Sequence, residues 1–215
     1  NSAWAAGLKT PKDLAGKRVA VTQVGSSFHY SLGLLADKYK FKLADGKALP
    51  LQSLSNAAAA LKGETVDAAL LPVSTARPLM ARDGAKLLGW VGDETPWQLG
   101  AVFASPKMLA NKSLTTKLLA ALVRADREYH DTILAAVKDG KAGITDGTRP
   151  LLEIIAKYTN LPVEQVVGNC AYIDPDGKLD VKNVANQIEW LQEQGFVDKG
   201  FGVDAILAKE YVKAD

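Results

Sequence analysis

The fold is decided by residues 17–76, which read KRVAVTQVGSSFHYSLGLLADKYKFKLADGKALPLQSLSNAAAALKGETVDAALLPVSTA. Residues 18–23 predict a first strand, which stops at a turn of small residues, Val24-Gly25-Ser26-Ser27. Apolar side chains then recur at helical spacing, at Phe28, Leu32, Leu35, Ala36 and Tyr39. We therefore expect a strand, a short turn and a helix in direct succession.

The rest of this stretch alternates between predicted strands and helices. Residues 48–51 indicate a second strand and 66–71 a third. Between them, 53–62 predict an Ala-rich helix that Gly63 ends. The third run is apolar throughout, which is typical of a parallel strand covered on both faces. The order predicts an α/β fold with a parallel sheet.

Hydroxyl side chains follow the first and third predicted strands, in the segments Ser26-Ser27 and Pro72-Val73-Ser74-Thr75. Parallel strands end at one edge of a sheet, and ligands collect beyond that edge. The first N–H groups of a helix lack intrahelical partners and attract anions. We expect half of a small-molecule cleft here, for a carboxylate, sulfonate, phosphate or similar group.

Eight residues are our candidates for ligand contact. They are Ser26, Ser27, Phe28, His29, Val73, Ser74, Thr75 and Trp97. The four hydroxyl residues among them have an alternative role, because serine and threonine also cap helices without touching a ligand.

The aromatic candidates also keep two interpretations each. Phe28 lies on the apolar stripe of the first helix, which favours packing over stacking on a ligand. His29 lies off that stripe and is either a ligand donor or a solvated surface histidine. Trp97 offers a lid or stacking surface, or belongs to the core.

Composition excludes several classes of protein. The 26 basic and 24 acidic residues nearly cancel, and no run of like charges marks a nucleic-acid binder. No apolar stretch is long enough for a membrane span. With one cysteine and two histidines, and without the common zinc, phosphate-loop or nucleophile-elbow motifs, we expect no metal, no cofactor and no catalytic residue.

The second half of the sequence is predicted to be mostly helical, unlike the first. Residues 86–91 and 99–104 predict strands, and the break between them, at 92–96, suggests an interdomain crossing. A long helix is expected from Ser113 to Gly140, followed by helices at 149–158, 163–167 and 180–194. We expect a crossing segment at 1–16, an α/β lobe at 17–92 and a mostly helical part of the other lobe at 93–215.

Three segments carry a family resemblance. Residues 10–21 read TPKDLAGKRVAV, 25–27 read GSS and 63–72 read GETVDAALLP. With Asp174-Pro175 and the later Ile188-Glu189-Trp190-Leu191, their order resembles the substrate-binding proteins of ABC importers in the nitrate, sulfonate, taurine and thiamine-pyrimidine group. The resemblance covers nearly the whole chain.

The resemblance implies a two-lobe, type II periplasmic-binding-protein fold with one lobe incomplete here, because the family's first strand, helix and strand precede the point where this sequence opens. It also implies a small polar or anionic organic solute held in an interlobe cleft, and a membrane permease as partner. The implied location is periplasmic or lipid-anchored outside the cytoplasmic membrane. Pro72-Val73-Ser74 departs from relatives that carry an acidic or aromatic residue after the proline, so no relative's solute is carried over.

Two other functions stay open on the same fold. One is an enzyme of the pyrimidine-synthase or small-dehydratase type, which the low histidine count disfavours. The other is a sensory ligand-binding domain, which differs from the importer component only in its partner.

Overall fold

The computed structural model describes residues 2–43, 47–138 and 143–212. The strands are β1 Arg18–Val21, β2 Lys47–Pro50 and β3 Ala68–Ala69. The α-helices are α1 Ser2–Ala5, α2 Ser27–Tyr39, α3 Leu54–Lys62, α4 Val73–Arg82, α5 Val91–Glu94, α6 Pro106–Ala110, α7 Lys112–Tyr129, α8 Ala135–Lys138, α9 Arg149–Thr159, α10 Val163–Gly168 and α11 Val181–Glu193. Short 3-10 helices lie at Pro11–Leu14 and Val203–Ala205, and a π-helical turn lies at His130–Leu134.

The chain divides into two compact units. The first comprises Asn1–Leu99 and Ala185–Phe201, and the second comprises Gly100–Val184 and Gly202–Asp215. Most of α11 therefore belongs to the first unit although it lies near the end of the sequence. The predicted boundaries after residues 16 and 92 stay predictions.

The first unit is built on a parallel sheet with the order β2-β1-β3. Strand β1 is central because both neighbours pair with it, with Val19 opposite Ala48 on one side and Ala68 on the other. Successive side chains of a strand point to opposite faces, and each face of β1 has its own core. Val19 and Val21 pack with Leu32 and Leu35 of α2, whereas Ala20 packs with Ala57 of α3 and with Val66. The parallel sheet predicted from residues 17–76 is confirmed.

The second unit is helical in the part that the structure describes. Its core centres on Ile133, Leu152 and Val166, which come from the π-helical turn, α9 and α10. The Tyr129 hydroxyl donates to the Ala171 carbonyl at 2.8 Å and so ties α7 to the segment after α10. From α7 through α8 the chain stays helical over 112–138, which corresponds to about 40 Å of axis. The expected end of this helix at Gly140 lies outside the described residues.

Three strand predictions are wrong in whole or in part. Only Ala68–Ala69 of the predicted 66–71 strand belongs to the sheet. Residues 86–90 and 99–104 form no strand among the described residues, and Val91 begins α5 instead. A strand needs a neighbouring strand to bond to, and within the part of the chain that the structure describes these apolar runs have none. Leu99, Val102 and Phe103 are accordingly 72%, 63% and 90% exposed.

One ion pair fixes the amino end of β1 to the loop before β3. The Asp67 carboxylate accepts from the Arg18 guanidinium at 2.8 Å and from the Arg18 backbone N–H at 2.8 Å. These hydrogen bonds to Arg18 hold the pKa of the Asp67 carboxyl below its usual 3.8. The charged form of Asp67 is therefore favoured in the folded protein.

Asp67→Asn is expected to lower the Tm by about 1–3 °C near neutral pH, a small effect because both partners are partly solvated. Because the pKa of Asp67 is lower in the folded protein, the ionised carboxylate stabilises the folded state fully when the pH is above the unfolded-state pKa of 3.8. This stabilisation is lost as the pH falls through the lower folded pKa. The Tm difference between wild type and variant should therefore close below that pH. Calorimetric melts across the acid range measure this, with exposed Asp198→Asn as control. A difference that persists unchanged in acid would contradict the role of the charge.

Among the described residues, no helix is both long enough and apolar enough to cross a lipid bilayer.

Candidate functional site

The first candidate turn leads from β1 into α2. Ser26 is the N-cap of α2, and its hydroxyl oxygen accepts from the His29 backbone N–H at 3.3 Å. The backbone N–H groups of Ser27 and Phe28 come first in the helix, where no intrahelical acceptor exists. The Ser27 side chain is exposed. This 13-residue helix therefore presents backbone donors and a hydroxyl group beyond the end of β1.

The second candidate turn leads from β3 into α4. Pro72 is the N-cap residue of α4, but its side chain accepts no hydrogen bond. Its backbone carbonyl accepts from Thr75 N at 3.0 Å and from Ala76 N at 2.9 Å. The N–H groups of Val73 and Ser74 are again the first of a helix and lack an intrahelical acceptor. Ser74 is exposed and Thr75 half-buried. Because proline has no side-chain acceptor, these two donors stay available to a bound group.

The sheet brings the two turns to one edge. β1 and β3 are parallel and adjacent, so α2 and α4 both begin at the carboxyl edge of the sheet. The Leu70 N–H donates to the Ala20 carbonyl at 3.1 Å, which continues the pairing towards that edge. The structure thus places five candidates on neighbouring connections of one sheet, namely Ser26, Ser27, Val73, Ser74 and Thr75.

His29 is buried, with 7% of its surface exposed, so the alternative of a solvated surface histidine is wrong. Its Nδ1 accepts from the Gly25 backbone N–H at 3.1 Å, which places the ring hydrogen of the neutral imidazole on Nε2. Burial lowers the pKa of His29 and favours this neutral form. Its role as a direct ligand donor stays a prediction.

The two aromatic candidates pack within the first unit. Phe28 lies against the core cluster that contains Leu32 and Leu35, as the apolar stripe of α2 predicted. Trp97 is half-buried and meets Tyr30 edge-on, with ring centroids 5.1 Å apart. Their assignment as ligand contacts stays a prediction, and the structure shows a packing role for each.

Two small hollows lie elsewhere. One is lined by Leu61, Lys62, Glu64, Leu79, Asp83 and Ala85 in the first unit. The other is lined by Ile133, Ala136, Val137, Gly143, Thr148, Leu152 and Val167 in the second unit. Neither contains a candidate residue. Within 2–43, 47–138 and 143–212, no group of three or more His, Cys, Asp or Glu side chains is arranged to hold a metal ion.

The sequence interpretation missed the support behind the first turn. Trp190 of α11 packs edge-on against both His29 and Tyr30, with centroids 5.1 and 5.3 Å away, and Phe196 meets His29 at 6.0 Å. Gly33 faces the Trp190 ring so closely that a Cβ there would lie 2.6 Å from the indole nitrogen. A glycine inside an otherwise strong helical pattern was the available signal, because such a glycine often marks a close approach.

No family model and no curated protein matches the chain. Solved structures are similar to it, among them the following two. The periplasmic aliphatic sulphonate binding protein SsuA from Escherichia coli shares 21% sequence identity at a TM-score of 0.61, and the match covers 94% of this chain and 61% of that one. A mutant of DSZB in complex with biphenyl-2-sulfinic acid shares 17% identity at a TM-score of 0.56, over 95% of this chain and 71% of the other. This chain therefore spans about three fifths of the length of the sulphonate binding protein. The predicted α/β fold is confirmed, since the chain shares the fold of the sulphonate binding protein over 94% of its length.

Proposed function

We propose that this protein is the solute-binding component of an ABC-type importer, and that its solute is a small organic monoanion of the sulfonate type. The edge of the sheet where α2 and α4 begin supplies the contacts to the anionic group. No covalent chemistry is required of the protein for this role.

The observation that carries the proposal is the pair of helix N-termini on adjacent parallel strands. Each N-terminus contributes two backbone N–H donors and a positive dipole end, which together favour an anion. Exposed Ser27 and Ser74 add one hydroxyl donor on each side. A sulfonate group has three acceptor oxygens arranged around one sulfur atom, and such a group can accept from several donors at once.

The charge of the two turns favours a monoanion over a more highly charged group. Neither 24–29 nor 72–76 contains lysine or arginine. Backbone dipoles and hydroxyl groups offset one negative charge well, whereas the burial of a second charge without a cation carries a large desolvation cost. A sulfonate or carboxylate fits this donor set better than a phosphate dianion does.

The two structural neighbours named above are described with sulfur oxyacids. One is an aliphatic sulphonate binding protein, and the other is in complex with a sulfinic acid. This shared chemistry supports the choice of a sulfur oxyanion within the class of organic anions. The prediction of an interlobe cleft stays a prediction.

Titration calorimetry of the full protein with ethanesulfonate tests the proposal. Ethanesulfonamide is the matched control, because it has the same carbon skeleton but no charge at neutral pH. We expect ethanesulfonate to bind about a hundredfold more tightly, which corresponds to the combined preference of two helix N-termini for an anion. Propionate and inorganic phosphate extend the comparison to a carboxylate and to a mostly dianionic group.

Equal affinity for the sulfonate and the sulfonamide, or no heat from any of these compounds, would contradict the proposal. Recovery of unchanged ethanesulfonate after long incubation is expected for a binding protein, whereas a new product would favour an enzyme. The permease and the location outside the cytoplasmic membrane are tested in cells. Deletion of the gene for the full protein should abolish uptake of labelled sulfonate.

A further inference from the structure

His29 closes the turn before α2 in a reciprocal pair of hydrogen bonds. The Ser26 hydroxyl accepts from the His29 backbone N–H at 3.3 Å, and His29 Nδ1 accepts from the Gly25 backbone N–H at 3.1 Å. In a capping box the third helical residue bonds back to the N-cap N–H; here the imidazole reaches one residue further back. Gly25 has a φ of +78°, so the turn has a shape that few other residues adopt.

The imidazole is held in place from its other side. Trp190 and Phe196 both meet its ring edge-on, at interplanar angles of 77° and 64°. The Phe196 ring also lies 3.7 Å from the position that a Cβ on Gly25 would occupy. The ring of His29 therefore has little freedom to swing away from the turn. Its one accepting nitrogen faces Gly25 because the packing of α11 keeps it there.

We propose that His29 is a positioning residue for the solute, because it accepts the Gly25 N–H and so holds the turn that aims the first N–H groups of α2 at the bound anion. The inference rests on the proposed function and adds to it a pH-sensitive support behind the site. His29 acts through Gly25 and Ser26, and the anion contacts the residues that follow them.

The direction of the pH effect follows from the chemistry of the ring. A protonated imidazole carries hydrogens on both nitrogens, so the Nδ1–H group would face the Gly25 N–H, which is also a donor, and the hydrogen bond would be lost. Trp190 and Phe196, which pack on the ring, do not titrate between pH 5 and 8, and burial is the cause of the lowered pKa of His29. The neutral ring with its Nδ1 acceptor is thus fully present when the pH is above the ordinary imidazole pKa of 6.5. The acceptor is lost as the pH falls through the lower pKa of the folded protein.

Three variants test the proposal in the full protein. His29→Phe keeps an aromatic ring but removes the acceptor. His29→Asn keeps an acceptor at the same distance from the backbone, since the amide Oδ1 takes the place of Nδ1, and it does not titrate. His130→Asn is the control, because His130 is the other histidine of the sequence and lies on the second unit.

The first measurement is the affinity for ethanesulfonate at about pH 7.5 and at about pH 4.5, because the pKa of His29 lies below the ordinary imidazole value. For wild type and His130→Asn we expect affinity to fall about fivefold in acid, the size of effect that follows the loss of one hydrogen bond. His29→Phe should bind about tenfold more weakly than wild type at the higher pH and should lose no further affinity in acid. His29→Asn should bind nearly as well as wild type at the higher value and lose most of the pH dependence. Wild-type affinity in His29→Phe, or an unchanged pH dependence in His29→Asn, overturns the proposal.

A second measurement needs no solute. Nitrogen-15 spectra of the His29 ring should show the tautomer with its hydrogen on Nε2, and the Gly25 amide should exchange faster with solvent in His29→Phe than in His29→Asn. If wild type binds no ethanesulfonate but these two results hold, the proposed function fails while the support of the turn by His29 stands. A ring hydrogen on Nδ1, or equal exchange in both variants, overturns the support itself.

Discussion

Gly33→Ala is expected to lower the free energy of unfolding by about 1–3 kcal/mol, the usual cost of an extra methyl group in a packed interior. The new Cβ would lie 2.6–2.7 Å from three atoms of the Trp190 indole. Trp190 is 7% exposed and is wedged against His29 and Tyr30, so it cannot move aside without disturbing both. The substitution should otherwise favour the helix, because alanine has a higher helix propensity than glycine.

Urea unfolding followed by tryptophan fluorescence measures this loss. Gly92→Ala is the matched control, since a Cβ at Gly92 meets nothing within 4 Å. Trp190→Leu in the Gly33→Ala background should recover part of the loss, and the double-mutant cycle should give a coupling of about 1 kcal/mol or more. If Gly33→Ala proves as stable as Gly92→Ala, the close contact between α2 and α11 does not exist in solution.

Ser27→Asp is expected to weaken ethanesulfonate binding by at least about a hundredfold while leaving the protein as stable as wild type or more so. Ser27 is the first residue of α2 and is exposed. A carboxylate at this position is favourable for the helix dipole, but it competes with the solute for the same donors and repels its charge. The opposite signs of the two effects distinguish lost binding from lost folding.

Calorimetric titration and thermal melts of the same samples provide both readouts. Ser113→Asp is the matched control, because Ser113 is exposed in the first turn of α7 and the substitution changes the net charge equally. We expect this control to bind ethanesulfonate like wild type. If Ser27→Asp binds ethanesulfonate within about threefold of the wild-type affinity, there is no solute site at the start of α2.

Local signals predicted residues 17–63 of the first unit well. The helix after β1 begins at Ser27 because Ser26 caps it, and Gly63 marks the end of α3. The apolar spacing from Phe28 to Tyr39 correctly identified the face of α2 that covers the sheet. These features depend on neighbours within a few residues, so the sequence alone contains enough information to predict them.

The errors share a physical cause, which is the need for a distant partner. Residues 86–90 and 99–104 are apolar enough for strands, but a strand forms only where another strand is available. His29 lies off the main stripe of α2, yet it is buried because α11 covers a second face of that helix through Trp190. Gly33 is a local sign of close packing, but nothing near His29 in the sequence indicates that Trp190 supplies the contact. Long-range packing of this kind is set by the complementary shapes of Gly33 and Trp190, and periodicity does not report it.

The contact between Gly33 and Trp190 also has a consequence for biosynthesis. The ribosome makes Trp190 long after Gly33, and at roughly 5–20 residues per second the delay is on the order of ten seconds or more. During this interval Trp97 is already available to meet Tyr30, whereas His29 has no indole to cover it. The packing around His29 therefore stays incomplete on the ribosome until Trp190 has been made.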